Sequence, residues 1–536
     1  MINAVIDRKI DRTVNYVLRL DVPVQMQTVC LEPLVSVIIR DRDILLESVF
    51  IMSKKLMTLL LLSVLLLGTA CGNGGTPTDT DNQTSSGDQP EESTSSLSYI
   101  DKLETKDFGG YEFNICTEGA FDNFYVEEAD GDVINDSVFK RNSEVEQRYN
   151  IKLNFENIEW KTAPDTIQQN VLAGDKAFDL WTATHLSLGS TLTDGYLRDW
   201  QDVSTVDLSN PYYIQAADES YSIGGHTKLL FGDFMDSNLK KAYVMLFNQR
   251  LTEQYGIEGL YDTVDSGKWT IDYFSDIIKD IHSDLNGDTI YDENDFYGFG
   301  TDNYAMVDTW SKALGFTAID NSGKEPKLDF YKESTVDAYK KLYDLYFNNP
   351  GVYGKFEAFQ ARWKMFTPGN CVFTNSQIGD LLNEDMRNMK DDYGVLPYPK
   401  FNEAQESYYT HLDGTFSAQL ITITLPDEDL ERTGTIVEAL NAYSREYTIP
   451  AIYDVALKVK ASRDDDSVRM LDLALAGRRY SLDSMDESNF PLSAKKALRY
   501  QIQAGNENIA SYYEANKTAA EEWITAMVNA FNESEK

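Results

Sequence analysis

The chain has 536 residues and a formal net charge of −39, with 48 Lys and Arg residues against 87 Asp and Glu residues. This acidic excess predicts no nucleic-acid partner, because phosphate binding requires a basic face. It also disfavours direct binding to anionic lipid. The hydrophobic content of 42% is enough to fill the cores of two or three domains.

Residues 52–70 have the pattern of a secretory signal. Two lysines follow Met52, and the fifteen residues 56–70 are almost entirely apolar. That run is too short for a membrane span, which needs about 20 residues. The small residues before Cys71 resemble a bacterial lipobox, although Gly68 stands where Leu is usual. The resemblance implies cleavage before Cys71 and its diacylation, so the protein would contact the membrane only through this lipid. The alternative is ordinary signal cleavage.

The residues on either side of the signal are assigned separately. A signal must emerge first to be recognised, so we interpret residues 1–51 as a mis-called N-terminal extension. A genuine cytoplasmic extension is the alternative. We assign residues 71–104 to the lipidated cysteine and a disordered tether, since 72–97 is rich in small and polar residues and lacks aromatics. Such a tether spans about 25–30 Å on average.

Helices and strands alternate at the start of the globular body. The periodicity predicts strands over 111–116, 151–155 and 178–181, with helices over 135–149 and 165–173 between them. This β-α-β-α-β succession predicts an α/β fold with a parallel, doubly wound sheet. Further on, we predict helices over 272–282, 334–348 and 433–443, and strands over 241–247, 370–374 and 419–424.

Several short motifs span nearly the whole globular region behind the lipobox and tether. They are GDKAFDLW at 174–181, GYLRDW at 195–200, the stretch 242–251 with Phe247-Asn248, Tyr255-Gly256-Ile257, GKWT at 267–270, 366–373 with Pro368-Gly369-Asn370-Cys371, and YTIPA at 447–451. In this order they resemble the family 1 extracellular solute-binding proteins, the maltose-binding-protein type that serve ABC importers.

The resemblance implies a two-lobed, type II periplasmic-binding-protein-like fold with an interlobe ligand cleft. Lobe one would comprise residues 105–235 plus 372–428, and lobe two residues 236–371 plus 429–536. The protein would be a non-enzymatic, monomeric receptor. It would capture a solute, most simply an oligosaccharide, and deliver it to the permease subunits of an ABC transporter at the extracellular face of the membrane.

A sugar site requires aromatic platforms beside polar side chains, because sugars present apolar ring faces and many hydroxyls. Ligands of open α/β sheets bind beyond the carboxyl ends of the strands. The candidate ligand-binding residues at predicted strand ends are Glu118, Trp181, Asp233, Trp310, Asn375, Asp413 and Tyr453. For each of them, an ordinary core position is the alternative.

The twelve residues 284–295 resemble the calcium loops of EF-hand and dockerin modules. Oxygen ligands recur at the required spacing, with two departures: Thr289 replaces the usual glycine, and the last ligand is Asp rather than Glu. The alternative is a metal-free polar turn. The predicted structural Ca²⁺ ligands are Asp284, Asn286, Asp288, the Ile290 carbonyl, Asp292 and Asp295.

Cysteine usage and catalytic motifs complete the sequence evidence. Cys116 and Cys371 lie in apolar, strand-like surroundings, so we expect buried free thiols, with a single disulfide as the alternative. The chain contains no nucleophile elbow, phosphate loop or zincin motif. A surface-anchored carbohydrate-active hydrolase remains the alternative function, because an acidic sequence of this kind can supply a pair of catalytic carboxylates.

Overall fold

The computed structural model describes residues 98–118, 121–356, 362–458 and 465–534, within one unit, Ser95–Lys536. The predicted extension, the signal, Cys71 and the tether up to residue 97 lie outside the described residues. Residues 98–104 are folded, which corrects the predicted end of the tether. The Ser98 hydroxyl accepts the Asp101 N–H at 3.1 Å, and the Tyr99 ring packs edge-on against Tyr212 at 5.8 Å.

The described elements alternate along most of the chain. The strands are β1 (Tyr111–Thr117), β2 (Ile151–Asn157), β3 (Leu180–Thr184), β4 (Tyr243–Asn248), β5 (His282–Ser283), β6 (Phe296–Asp302), β7 (Ile319–Asp320), β8 (Lys327–Leu328), β9 (Val352–Phe356), β10 (Cys371–Gln377), β11 (Tyr393–Leu396), β12 (Thr410–His411), β13 (Ser417–Leu420) and β14 (Arg478–Arg479). The α-helices are α1 (Tyr99–Lys102), α2 (Val133–Tyr149), α3 (Ala163–Ala173), α4 (Gln215–Tyr221), α5 (Ser237–Lys240), α6 (Gln249–Gln254), α7 (Leu260–Asp265), α8 (Ile271–Ile278), α9 (Ala305–Ala313), α10 (Glu333–Phe347), α11 (Trp363–Phe366), α12 (Glu384–Arg387), α13 (Asp427–Tyr443), α14 (Ile449–Lys458), α15 (Asp465–Ala476), α16 (Tyr500–Gln503) and α17 (Ile509–Ser534).

The first sheet has four strands in the order β13-β3-β1-β2. β1 pairs in parallel with β2 and β3, and β13 adds an antiparallel edge to β3. Each parallel crossover passes through a helix, α2 after β1 and α3 after β2. The apolar stripe of α2, formed by Val138, Val145 and Tyr149, is buried. The predicted β-α-β-α-β succession is therefore confirmed.

The second sheet has the order β11-β4-β10-β6-β5, with β9 also paired to β6. β10 runs parallel to β6 and antiparallel to β4. Every residue of β6 and β10 is buried, as expected for strands covered on both faces. Cys371, in β10, and Cys116, in β1, are both buried and free, as predicted.

The strand pairing divides the lobes differently from the predicted boundaries. Residues 372–428 were assigned to lobe one, but β10 and β11 belong to the second sheet, and only β13 joins the first. Conversely, α13 packs into the core of the first sheet, where Ile436 and Leu440 cluster with Phe113 and Ile115. The reason is that a segment belongs to the lobe whose strands it pairs with, and pairing between distant segments cannot be deduced from their order in the sequence.

The C-terminal helix α17 contacts both lobes. Near its start Tyr513 stacks on Tyr331, with ring centres 4.6 Å apart. Near its end the Phe531 ring lies 5.8 Å from the ring of His226. His226 belongs to lobe one, since the nearby Leu230 forms a bridge with Gln419 of β13. None of the helices in the described ranges combines the length and hydropathy of a membrane-spanning segment.

Candidate functional site

A cleft of about 360 Å³ lies between the two sheets. Its first wall contains Phe121, Trp160, Lys161 and Leu186. Phe121 follows β1, the pair Trp160 and Lys161 follows β2, and Leu186 follows β3. This wall is therefore built at the carboxyl ends of three neighbouring strands, the edge at which open α/β sheets bind ligands.

The second wall comes from the strand ends of the second sheet. Tyr243 begins β4 and pairs with Gln377, which ends the antiparallel strand β10. Lys241 lies two residues before β4, and all three side chains line the cleft. Tyr304 and Asp308 follow β6 and belong to the start of α9. Both sheets thus present their strand ends to one space.

A third wall is formed by the segment that leads into β13 and by a C-terminal segment. The first segment contributes His411 and Asp413, and the C-terminal segment contributes Glu487, Lys495 and Arg499. Lys495 and Arg499 stand at the two ends of a single π-helical turn. Such turns recur at functional sites, since the extra residue redirects neighbouring side chains.

Four aromatic side chains, Phe121, Trp160, Tyr243 and Tyr304, line the cleft. Trp160 is 40% exposed and Tyr304 43% exposed, unusually high values for large aromatics. The Phe121 ring packs edge-on against Trp160, with centres 5.6 Å apart. A partly exposed ring beside polar groups can stack against the apolar face of a sugar.

Asp413 is held by hydrogen bonds inside the cleft. Its carboxylate accepts the Tyr243 hydroxyl at 2.8 Å, and the Thr415 N–H and hydroxyl at 3.1 and 2.6 Å. Tyr243 in turn accepts the Gln377 amide at 3.0 Å. Burial and then the Asp413 charge raise the pKa of Tyr243 well above its usual range, so its hydroxyl remains a donor.

The other carboxylates of the cleft are paired with cations. Lys495 lies 3.2 Å from Glu487, and the Arg499 Nε donates to Asp308 at 3.1 Å. Burial raises the pKa of Glu487, and Lys495 opposes that shift. Burial, followed by the charge of Lys312, lowers the pKa of His411 to about 4, so this imidazole is neutral at pH 7.

Of the seven ligand-binding residues predicted from sequence, Asp413 alone lines this cleft. Glu118 is buried just behind the first wall and fixes its loops. Its carboxylate accepts the Thr184 N–H at 2.7 Å, the Ser187 hydroxyl at 3.1 Å and the Ala163 N–H at 3.3 Å. Glu118 therefore ties together the segments that follow all three parallel strands.

The remaining predicted residues pack elsewhere. Trp181, Trp310 and Asn375 are buried in the core, because the strands and helix that carry them are covered on all sides. The Asp233 carboxylate lies 3.4 Å from Arg445, and the Tyr453 hydroxyl donates to Asp472 at 3.2 Å. The cleft aromatics Phe121, Trp160 and Tyr304 were not identified from sequence. The one feature that could have identified them is their position, since each lies within a few residues of a strand's carboxyl end.

The predicted calcium loop forms a series of polar turns. The Asp284 carboxylate accepts the N–H groups of Gly287 at 2.6 Å and Thr289 at 2.8 Å, and Thr289 adopts the left-handed φ of 67°. Asp295 is buried and accepts the N–H groups of Leu285 and Asp292, both at 2.9 Å. Within the described residues, no group of three or more His, Cys, Asp or Glu side chains is arranged to hold a metal ion.

A second cavity, of about 420 Å³, lies beside α1 and is lined by lobe-one elements and α13. Its wall includes Glu438, which accepts hydrogen bonds from Asn210 and Tyr213, each at 2.6 Å, and from Tyr212. This cavity is larger than the interlobe cleft but lies away from the strand ends, and the Glu438 carboxylate is already satisfied by protein donors. We therefore place the functional site in the interlobe cleft.

Comparisons with solved structures identify the fold. A family 1 extracellular solute-binding protein from Bifidobacterium longum subsp. infantis is 14% identical; the match covers 77% of this chain and 100% of that one, with a TM-score of 0.52. The ABC substrate-binding protein Lmo0181 from Listeria monocytogenes, solved with cycloalternan, is 12% identical over 78% of this chain and 99% of that one, with a TM-score of 0.50. No family model matches the chain, and no curated protein matches its sequence. The chain has the two-lobed fold of these solute-binding proteins, which confirms the predicted fold class.

Proposed function

We propose that this protein is an extracellular solute-binding protein that captures an oligosaccharide between its lobes. The observation that carries the proposal is the cleft itself. It gathers four aromatic side chains and several polar ones at the strand ends of both sheets. Aromatic faces stack on sugar rings, and polar side chains satisfy sugar hydroxyls. The Listeria protein of similar fold, solved with the carbohydrate cycloalternan, supports this assignment.

The two-lobed arrangement also suits capture and release. A ligand that contacts both walls favours the closed state of the lobes, because it binds that state more tightly than the open one. Contact with both lobes requires groups on each side, and Trp160 and Tyr304 provide one aromatic ring on each. In this proposal the closed, loaded form is the one recognised by the permease subunits of an ABC transporter.

The proposed location is the extracellular face of the bacterial membrane, with a lipid on Cys71 as anchor. The signal-like segment 52–70 and the polar tether that follows it support this proposal. A protein of net charge −39 would gain little from direct contact with anionic lipid. The tether would keep the cleft within reach of a permease.

We further propose that the loop 284–295 binds Ca²⁺ in a structural role. The left-handed Thr289 occupies the place in the loop where EF-hand loops use glycine for a sharp turn. To bind the cation, the loop carboxylates would either give up their hydrogen bonds to backbone N–H groups or coordinate the cation through their second oxygen. Calcium would stabilise the loop without taking part in solute binding.

The function is tested by screening the purified full chain against plant and host oligosaccharides. A thermal-shift screen would identify ligands, and isothermal titration calorimetry would give stoichiometry and affinity. We expect one oligosaccharide per chain and quenching of tryptophan fluorescence, with no product on chromatography of the recovered glycan. Turnover of a bound glycan would instead establish the alternative, a surface-anchored hydrolase. Tight binding of a peptide with no response to any glycan would contradict the proposed ligand class.

A further inference from the structure

The charge of the cleft is opposite to that of the protein. The chain as a whole has a formal charge of −39. The cleft wall nevertheless contains four cations, Lys161, Lys241, Lys495 and Arg499, against the carboxylates of Asp308, Asp413 and Glu487. With His411 neutral at pH 7, the wall has an excess of one positive charge. An acidic sequence with random placement of charge would instead give an acidic cleft.

The carboxylates of the cleft are already occupied by the protein's own groups. Asp308 and Glu487 form ion pairs with Arg499 and Lys495. Asp413 accepts three hydrogen bonds, from Tyr243 and from two groups of Thr415. These acids therefore have little capacity left to bind a cationic ligand.

Two of the cations have no such partner. Among the described residues, neither Lys161 nor Lys241 forms an ion pair. The Lys161 ammonium lies 4.2 Å from the centre of the Trp160 ring. The Lys241 ammonium lies 4.3 Å from the centre of the Phe121 ring, and 3.4 Å from the Gln377 side-chain oxygen. A ring face attracts an ammonium group but does not neutralise its charge.

Both ammonium groups stand next to the aromatic rings proposed to contact sugar. A sugar stacked at Trp160 or Phe121 would place its ring substituents beside Lys161 or Lys241. Burial lowers the pKa of Lys241, with Asp413 and Asp380 opposing part of that shift. A half-buried ammonium gains more from an anion than an exposed one, because desolvation strengthens the attraction.

We propose that the solute is an anionic carbohydrate whose carboxylate or sulfate groups bind the ammonium groups of Lys161 and Lys241. This inference rests on the proposed oligosaccharide function and narrows its ligand class. Uronic acid and sulfated sugars share the chemistry required, a negative group beside an apolar ring face. A neutral oligosaccharide would give neither lysine an ion-pair partner.

The experiment compares matched sugars with and without the charge. Oligogalacturonate, hyaluronan and sulfated chondroitin oligosaccharides would be titrated into the full chain by calorimetry. Each acidic sugar would be compared with a neutral counterpart of the same linkage. The counterparts are made by reduction of the carboxyl groups and, for chondroitin, also by removal of the sulfate groups. We expect at least one acidic member to bind about tenfold or more tightly than its counterpart, since hydrogen bonds to charged groups contribute strongly. Its affinity should fall as NaCl screens the charges.

Variants assign the effect to the two lysines. Lys161→Gln and Lys241→Gln keep most of the side-chain length and remove the charge, and each should weaken the acidic ligand about tenfold while barely changing any binding of the neutral one. Lys324→Gln, an exposed lysine in the turn between β7 and β8, is the control and should bind like the unaltered protein. Thermal unfolding of every variant would show that the fold is intact.

The outcomes separate the two proposals. Preference for an acidic sugar that is lost in both cleft variants, and kept in the control, supports the anionic ligand class. Equal or tighter binding of the neutral counterparts overturns that class and leaves the oligosaccharide function standing. Absence of binding by every acidic and neutral glycan overturns both.

Discussion

The ammonium group of Lys241 lies 4.3 Å from the centre of the Phe121 ring. Phe121 follows the first strand of the first sheet, whereas Lys241 precedes the first strand of the second. The contact therefore joins the first and second walls of the cleft. A ligand group that binds Lys241 acts at the junction of the lobes, where it is placed to affect their relative position.

Replacement of Trp160 tests the proposed sugar platform. Trp160→Ala should weaken oligosaccharide binding roughly tenfold to hundredfold, because aromatic anchors dominate the energy of such sites. Thermal stability should change little, since the side chain is 40% exposed. Tyr255→Ala is the matched control, being equally exposed at 40% and outside the cleft. Similar losses in both variants, by calorimetry, would contradict the assignment.

Replacement of Trp310 should show the reverse pattern. This residue was a predicted ligand contact, but it is buried and packs 5.1 Å from the Tyr398 ring. Trp310→Phe should lower the free energy of unfolding by about 1–3 kcal/mol, because it leaves a cavity. Ligand affinity should not change. If the variant loses ligand affinity while denaturant titration shows unchanged stability, Trp310 contacts the ligand after all.

The pH dependence of stability should include a contribution from Asp233. Burial raises its pKa to about 6, and the charges of Arg445 and Arg478 oppose that shift. The folded state then binds more protons than the unfolded state between about pH 4 and 6. The free energy of unfolding should fall with rising pH in this window, by up to about 3 kcal/mol.

Asp233→Asn should remove that dependence, as measured by urea unfolding at pH 4, 5, 6 and 7. Asp175→Asn, at an exposed position, is the control and should keep it. A wild-type curve that rises from pH 4 to 6, with the same slope in both variants, would show that Asp233 does not titrate as expected.

Calcium binding by the loop 284–295 can be tested directly. Millimolar Ca²⁺ should raise the thermal midpoint of the full chain by a few degrees and give measurable heat by calorimetry. Asp288→Ala should abolish both effects, because it removes a ligand while Asp284 still accepts its two backbone N–H groups. Asp276→Ala, exposed on α8, should retain both. No heat and no shift in the unaltered protein would remove calcium from the proposal.

Lipidation at Cys71 can be tested in cells. Cys71→Ser should release the protein from the membrane fraction into the medium and abolish incorporation of labelled fatty acid. Cys116→Ala, in the buried strand β1, is the control and should remain membrane-bound. Retention of Cys71→Ser in the membrane, measured by fractionation and mass spectrometry, would point to another anchor.

The sequence by itself determined the fold class and much of its local structure. Apolar residues alternate along β1 and β2, and an apolar stripe runs along α2. These local patterns predicted which side chains are buried, and the predictions were correct. Local patterns have this power because side-chain direction repeats every two residues in a strand and every 3.6 in a helix. The order of the strand motifs then indicated a two-lobed receptor.

Only the tertiary structure decided which residues meet in the cleft. Trp181 lies at the amino end of β3 and Trp160 just past the carboxyl end of β2, and the first is buried in the core whereas the second is exposed at the cleft. Their sequences do not distinguish them, since exposure depends on which distant elements cover each site. The pairing of β10 with β4 and β6, and the approach of Lys495 and Arg499 from the C-terminal segment, are likewise contacts between residues far apart in the chain. Periodicity reports that a residue is covered, but only the assembled sheets determine what covers it.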